Sequence, residues 1–383
     1  MSPNRESSQV ALVRCENYDE GLVHQAIGRG LALLGGPERF VQPGEGILLK
    51  PNLLVRSAPE KAVTTHPAVF RAVVQHLGGA GARLSYGDSP GFGGTRMTAR
   101  GAGLVKVAEE LEIALADFSS GETVSFPEGE LIKQFTIAAG VLAADGIISL
   151  SKLKTHGLTR LTGAIKNQFG CIPGLLKGEF HARMPDVDRF SQMLVDLNRF
   201  LRPRLYVMDG IVAMEGNGPR NGDPRPMSVL LFSDDPVALD ATASRIINLD
   251  PALVPTTSWG EKWNLGRYQS VEILGDPLDS FVAADFAVSR GLPSPASERG
   301  FMARLLKDWI VRRPAIHPAN CTTCGTCVQV CPVAPKAIDF RNGRHSPPTY
   351  DYSLCIRCYC CQEMCPDNAI TIETPLLGRL TRR

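Results

Sequence analysis

Two stretches decide how the C-terminal part of this 383-residue chain folds: Cys321-Thr-Thr-Cys324-Gly-Thr-Cys327-Val-Gln-Val-Cys331-Pro332 and Cys355-Ile-Arg-Cys358-Tyr-Cys360-Cys361-Gln-Glu-Met-Cys365-Pro366. Each reads C-x2-C-x2-C-x3-C-P, and the likeness continues past the cysteines, where Lys336-Ala337-Ile338 echoes Asn368-Ala369-Ile370. The pattern is an internal duplication. Of eleven cysteines only Cys15 and Cys171 lie outside this block. A disulfide scaffold would not leave some three hundred residues almost free of cysteine, so the dense block is a local device.

Three closely spaced thiolates on a tight loop can each reach a different iron of one cubane, while a fourth, turned away by the proline after it, reaches a neighbouring cluster. The block resembles the bacterial two-cluster [4Fe–4S] ferredoxin domain. That resemblance implies two [4Fe–4S] clusters, one held by Cys321, Cys324, Cys327 and Cys365, the other by Cys355, Cys358, Cys361 and Cys331. Zinc also favours paired C-x2-C, but a zinc site does not require two four-cysteine runs each closed by proline. Cys360 is a spare thiol beside Cys361 and is read as a bystander. The 23 residues between Cys331 and Cys355 are expected to form a surface loop.

The rest of the chain alternates short β-branched or apolar runs with helical patterns. Strands are expected at 10–14, 46–50, 83–86, 146–150, 205–208 and 228–232, with helices near 19–34, 67–77, 104–111, 187–201 and 236–247. Such alternation predicts an α/β domain with a largely parallel sheet and flanking helices, followed by a small α+β iron–sulfur domain. The expected division is an α/β domain over 1–275, a linker with an amphipathic docking helix (301–313) over 276–315, the ferredoxin domain over 316–375, and a basic tail over 376–383.

Composition narrows the function. Hydrophobic residues make up 44% and charged residues 21%, an ordinary globular balance. A formal charge of +2 and an aromatic content of 7% give no case for nucleic acid or an acidic membrane as partner. The opening residues MSPNRESSQVALVRC lack the basic start and apolar run of a secretory signal, and no run approaches the length of a membrane span. The expectation is a protein of the cytoplasm without a transmembrane segment. The oxygen sensitivity of exposed cubanes suggests an anaerobe.

In an open α/β sheet the ligand crevice lies at the carboxyl ends of the strands, and polar clusters fall at those ends. Lys50 and Asn52 follow one strand, and His66 stands before a helix that begins at Pro67. Asp88 opens a glycine-rich turn that is neither a P-loop nor a dinucleotide fingerprint. Lys152, Lys154, His156, Arg160 and Lys166 concentrate positive charge and are interleaved with Thr, Asn167, Gln and Gly, a mixture suited to an anionic small molecule. A solvated helix face is the competing reading. His156 or Lys154 would supply a proton. Asp209, Glu215 and Asp240 are read as substrate-orienting, acid/base or metal-binding carboxylates, and Asp235 as an N-cap.

The series K-P-N-L, T-H-P, G-D-S-P-G, S-K-L-K-T-H with G-A-I-K-N, D-G-I-V-A-M-E-G-N-G-P and D-P-V-A-L-D is similar to the domain of unknown function 362 family, roughly over Leu48–Pro251. Members often carry a two-cluster ferredoxin module. The resemblance implies one architecture but no catalytic assignment. Three functions follow from the residues: a ferredoxin-linked oxidoreductase acting on an anionic small molecule, an electron-transfer adaptor docking on a partner redox enzyme, or a non-redox lyase or ligase with structural clusters.

Overall fold

The computed structural model describes residues 7–91, 93–174, 176–291, 311–341 and 343–375. Among these, the large sheet has nine strands. They are β1 (Ser8–Arg14), β2 (Gly46–Pro51), β3 (Arg83–Tyr86), β4 (Ala114–Leu115), β7 (Gly146–His156), β8 (Arg160–Thr162), β9 (Leu205–Glu215), β10 (Asp223–Ser233) and β11 (Val271–Gly275). A separate hairpin pairs β5 (Gly121–Ser125) with β6 (Gln134–Ala138). The strand order is β11-β1-β10-β9-β7-β2-β3-β4, with β8 folded back on β7. Strands β9, β7, β2, β3 and β4 run parallel, whereas β10 is antiparallel to both its neighbours. The architecture is the largely parallel α/β sheet expected.

The central strands are buried on both faces, so they read as continuous apolar runs. Alternate side chains serve opposite layers. Ala11, Ile47, Leu49, Ile148, Leu150 and Val207 pack with residues of helices Glu20–Leu33, Pro67–Gly79 and Leu104–Glu110. Val10, Leu12, Met208 and Leu231 face helix Pro236–Ile246, while Leu48 and Ile147 meet helix Val187–Leu201. Three of these helices begin at an aspartate whose carboxylate accepts backbone N–H groups of the first turn: Asp19, Asp186 and, as expected, Asp235. His66 does the same with Nδ1 before Pro67.

Two expectations change. The basic stretch does not follow a strand but continues one: β7 runs on to His156, and a register shift separates Lys152 from Lys154. All three basic side chains are buried, so this is no solvated face. The segment after Asp276 also begins as part of the α/β domain, because Phe281 and Phe286 are buried in its core. Most of the expected docking helix and the whole basic tail lie outside the described residues.

The iron–sulfur domain pairs β12 (Arg313–Ile316) antiparallel with β15 (Ile370–Glu373), and β13 (Ile338–Asp339) with β14 (Thr349–Tyr350). This second pair is built from the segment expected as a surface loop. The duplication is visible in the backbone. Thr323 and Arg357 hold equivalent positions in the two repeats and both have positive φ, as do Gly325 and Tyr359. Each repeat then enters a short helix, Thr326–Gln329 or Cys360–Met364.

Candidate functional site

The long strands β7 and β9 run beyond the body of the sheet, and the loop after β9 forms the seat of the iron–sulfur domain. Asn217 Nδ2 donates to Asn368 Oδ1 at 2.7 Å and to Ile370 O at 3.1 Å, while Gln362 Nε2 donates to Asn217 Oδ1, Asn217 O and Gly218 O. Arg220 Nη1 and Asn221 Nδ2 donate to the carbonyls of Met364 and Cys365. Met364 packs with Val55, Ala62, Val63 and Met214. The loop that begins at Glu215 is therefore the joint between the two domains. Glu215, placed there as a site carboxylate, instead accepts from Ala287 N and lies 3.7 Å from Arg225.

Beside this joint lies a cleft of about 580 Å³, with one wall from each domain. The α/β wall includes Asn52, Asp88, Lys154, Lys166, Asn167 and Lys177, and the iron–sulfur wall includes Cys331, Lys336, Cys360, Glu363 and Met364. Five lining residues are Lys or Arg (Lys154, Lys166, Lys177, Arg183, Lys336) against three acids (Asp88, Glu179, Glu363).

At the base of the α/β wall, Lys50 is fully buried and donates from Nζ to Asp88 Oδ1 at 2.9 Å, Asn167 Oδ1 at 3.2 Å and Pro51 O at 3.3 Å. Asp88 Oδ2 accepts from Leu53 N at 2.6 Å. A side chain at Gly170 is impossible here, since its Cβ would stand 1.8 Å from Asp88 Oδ1. Lys50 thus holds the wall together from behind it. Asp240 plays a comparable part: its buried carboxylate accepts from Ala164 N at 2.6 Å and Ile165 N at 3.1 Å. These bonds fix the start of helix Ala164–Asn167, which carries Lys166 and Asn167 into the cleft. A Cβ on Gly163 would collide with the Asp240 carboxylate. Burial pushes Asp240 up to about 7, against the lowering effect of the two N–H donors.

Lys166 makes no hydrogen bond or ion pair among the described residues, and its charge acts on Lys154, His156, Lys177, His181 and Glu363. Burial drives Lys154 well below the usual ammonium range, and its Nζ donates to Val63 O at 2.6 Å. Burial lowers Lys177 to about 8; its Nζ bonds Ser89 Oγ and donates to Ile172 O at 3.1 Å. His156 lies behind the lining, its Nε2 2.8 Å from Glu363 Oε1 and its Nδ1 accepting from Leu158 N and Thr159 N. Burial lowers it to about 4. For Glu363, burial acts upward, but His156 and Lys166 outweigh it and hold the carboxyl below its ordinary range.

Three expected site residues form a different cluster. Lys152 Nζ donates to Asp209 Oδ2 and Tyr18 OH, both at 2.8 Å, and Tyr18 OH donates to Asp209 Oδ1 at 2.8 Å. His66 N donates to Asp209 Oδ2 at 3.1 Å, and its ring stacks on Tyr18 at 3.5 Å. Asp209, Glu215 and Asp240 each have separate partners and do not converge on a shared cation. Cys171 is buried and pushed up to about 12 by burial, a bystander thiol.

Residues not anticipated as site residues include Tyr18, Thr162, Lys177, His181 and Glu363. Lys177 and His181 stand four apart on helix Leu176–Arg183, a one-face spacing readable from sequence. Glu363 sits inside the second cysteine motif, where only the spacing of the cysteines had carried meaning.

The cysteines themselves divide into two hollows. One is bordered by Cys321, Cys324, Cys327 and Cys365, the other by Cys331, Cys355, Cys358 and Cys361. This is the crosswise grouping that the ferredoxin resemblance implies. Burial and the neighbouring thiols push Cys327 up to about 12, and burial leads the same upward shift at Cys355 and Cys361. Thiols so placed suit a cationic iron–sulfur group that would offset their ionisation. Tyr350 OH donates to Cys361 Sγ at 3.2 Å and Ala369 N to Cys365 Sγ at 3.4 Å, the outer hydrogen bonds such sulfurs use. The residues present fit the group. Cys324 is exposed, whereas the second hollow's four cysteines are all buried and Cys331 also borders the cleft.

Among the described residues no helix is long and apolar enough to cross a membrane. Over 257 residues, 67% of this chain and 79% of the other, the chain is 37% identical to the thylakoid-associated protein sll1697 of Synechocystis. A solved structure, the lactate racemase apoprotein of Thermoanaerobacterium thermosaccharolyticum, matches with a TM-score of 0.39 and 10% identity over 61% of this chain and 55% of that one. Residues 313–366 match the 4Fe-4S dicluster domain, which gives the chain an iron–sulfur electron-transfer role. Residues 47–245 match the domain of unknown function DUF362, and the chain belongs to that family.

Proposed function

We propose that the protein is a ferredoxin-linked oxidoreductase that reduces an anionic small molecule held in the cleft between its two domains. Cys321, Cys324, Cys327 and Cys365 would hold one [4Fe–4S] cluster, and Cys331, Cys355, Cys358 and Cys361 the other. When bound, these groups supply single electrons. One observation carries the reading: a lysine-rich wall at the strand ends faces Cys331, Cys360 and Glu363 across a single cleft. Exposure of Cys324 suits approach of a ferredoxin-like donor or partner redox enzyme. A reducing cytoplasm, as in an anaerobe, is the compartment such chemistry requires.

Within the cleft, Lys166 and Lys177 receive the anion, and Asp88 and Asn167, held by Lys50, fix the shape of the wall. Lys177, lowered to about 8 by burial, would give up a proton at Nζ. His156, turned to Glu363, positions the iron–sulfur wall instead of serving as the acid first expected of it. The adaptor reading calls for no small-molecule pocket, and the cleft speaks for the enzyme.

The test uses anaerobically purified protein. Iron and sulfide should each approach eight per chain, about four for each cubane. Dithionite-reduced protein mixed with a panel of 2-oxo and enoyl carboxylates should reoxidise with at least one of them, followed by visible absorbance. Lys166→Met should slow that reoxidation by about tenfold or more. Reoxidation indifferent to Lys166 would remove the cleft from the reaction, and turnover independent of reduction would favour a lyase or ligase.

A further inference from the structure

The hydrogen-bond network behind the cleft determines which atom of Asn52 is left without a partner. A lysine ammonium can only donate, so Asn167 must turn its carbonyl oxygen toward Lys50 Nζ. Asn167 Nδ2 then donates to Ser149 Oγ at 3.0 Å and Lys50 O at 3.3 Å. Asn167 Oδ1 in turn accepts from Asn52 Nδ2 at 3.2 Å. Each amide is thereby oriented by its neighbour, beginning from a group with no alternative role. The remaining atom, Asn52 Oδ1, is buried, belongs to a residue lining the cleft, and has no hydrogen-bond partner among the described residues. Two further lining residues present buried polar atoms in the same condition, Thr162 Oγ1 and His181 Nδ1. A buried carbonyl oxygen without a donor is costly, and a site that retains one is built to receive a donor.

Asn52 is hydrogen-bonded to Asn167, the residue after Lys166, and both Asn52 and Lys166 line the cleft. The lining also includes Leu53, Leu54, Phe169 and Val330, an apolar surface suited to the body of a ligand.

We infer that the ligand of this cleft carries a hydroxyl or amino N–H beside its anionic group, with Lys166 receiving the anion and Asn52 Oδ1 accepting the neighbouring hydrogen. The inference rests on the reading of the cleft as an anion site. It goes further by requiring a donor at a stated position, so that an anion lacking one leaves Asn52 unsatisfied.

Mandelate and phenylacetate differ only by the hydroxyl next to the carboxylate, and calorimetric titration of the anaerobic, cluster-loaded protein compares them directly. Mandelate should bind about tenfold more tightly. Asn52→Ala should abolish that preference, and Asn52→Gln, which keeps both an amide donor and an acceptor oxygen, should retain part of it. Lys166→Met should weaken both probes by the same factor. Iron content and melting temperature establish that each variant is folded and loaded. Equal binding of the two probes to the natural protein, or a preference that survives Asn52→Ala, overturns the inference while leaving the anion site intact. Binding of neither probe overturns the anion reading itself, and this inference with it.

Discussion

Replacing Lys50 by Met tests the strongest structural claim, that a buried ion pair holds the cleft wall from behind. The side chains of Lys50 and Asp88 are 0% and 4% exposed, so the substitution leaves a carboxylate buried without its ammonium, keeping only the bond from Leu53 N. Asn167 Oδ1 also loses its Lys50 donor. Breaking a buried pair from one side costs about 3–5 kcal/mol, mostly as the penalty of the stranded charge. For a chain of 383 residues roughly 1.2 °C of melting temperature accompanies each kcal/mol, which gives a fall of about 4–6 °C. The exposed Arg14–Glu16 pair, at 43% and 63%, sets the contrast: its removal should shift melting by less than about 1 °C. The assay is thermal melting by circular dichroism at one scan rate, on protein of equal iron content. Asp88→Asn added to Lys50→Met removes the stranded charge and keeps an acceptor for Leu53 N, so the double variant should regain about half of the loss. A single variant that melts within about 1 °C of the natural protein, or a double variant no better than the single, would refute the argument.

Three further outcomes are expected. Asp240 has a folded value near 7, above its ordinary 3.8, so its contribution to stability is full below about pH 4 and is lost as the pH rises through 7; Asp240→Asn should flatten that part of the stability profile in denaturant titrations, and an unchanged slope would contradict the assignment. Gln362→Ala leaves the carbonyls of Asn217 and Gly218 without the amide that joins the domains, at a cost of about 1–2 kcal/mol. Amide exchange across 216–221 should speed up by about tenfold, and unchanged exchange would mean that the joint does not depend on it. Cys324→Ser should lower bound iron by about half while the α/β domain melts as before; full iron retention would show that Cys324 is not a ligand.

The main features of the fold were readable because they rest on local rules: short continuous apolar runs, aspartates before helices, Pro67 and Pro236 at first helical positions, and cysteines at fixed intervals. The site was less readable for a different reason. Lys50, Asn52, Asp88 and Asn167 are scattered over more than a hundred residues, and the parallel strand order alone brings them together. Charge in a sequence also says nothing about burial. Lys152 and Lys154 stand two apart on one strand, yet a register shift sends one to Asp209 and Tyr18 and the other to Val63. The loop from Glu215 to Asn221 has the glycine and amide content of a ligand site, and those same groups serve to grip the backbone of the cysteine domain. Glu363 could not be identified beforehand because its partner, His156, lies more than two hundred residues away.

The shared cleft also ties two equilibria together. A molecule seated there touches Lys166 from one domain and the segment from Cys360 to Met364 from the other, so its affinity depends on how well the cysteine domain is folded and loaded. Thermodynamic linkage makes the dependence mutual: whatever loading contributes to ligand affinity, the ligand returns as resistance to cluster loss. A chain stripped of iron would lose the shape of half its binding wall before any chemistry began. Ligand-saturated protein should accordingly survive exposure to chelator longer than empty protein, and the ratio of the two lifetimes offers a way to recognise the natural ligand without knowing the reaction.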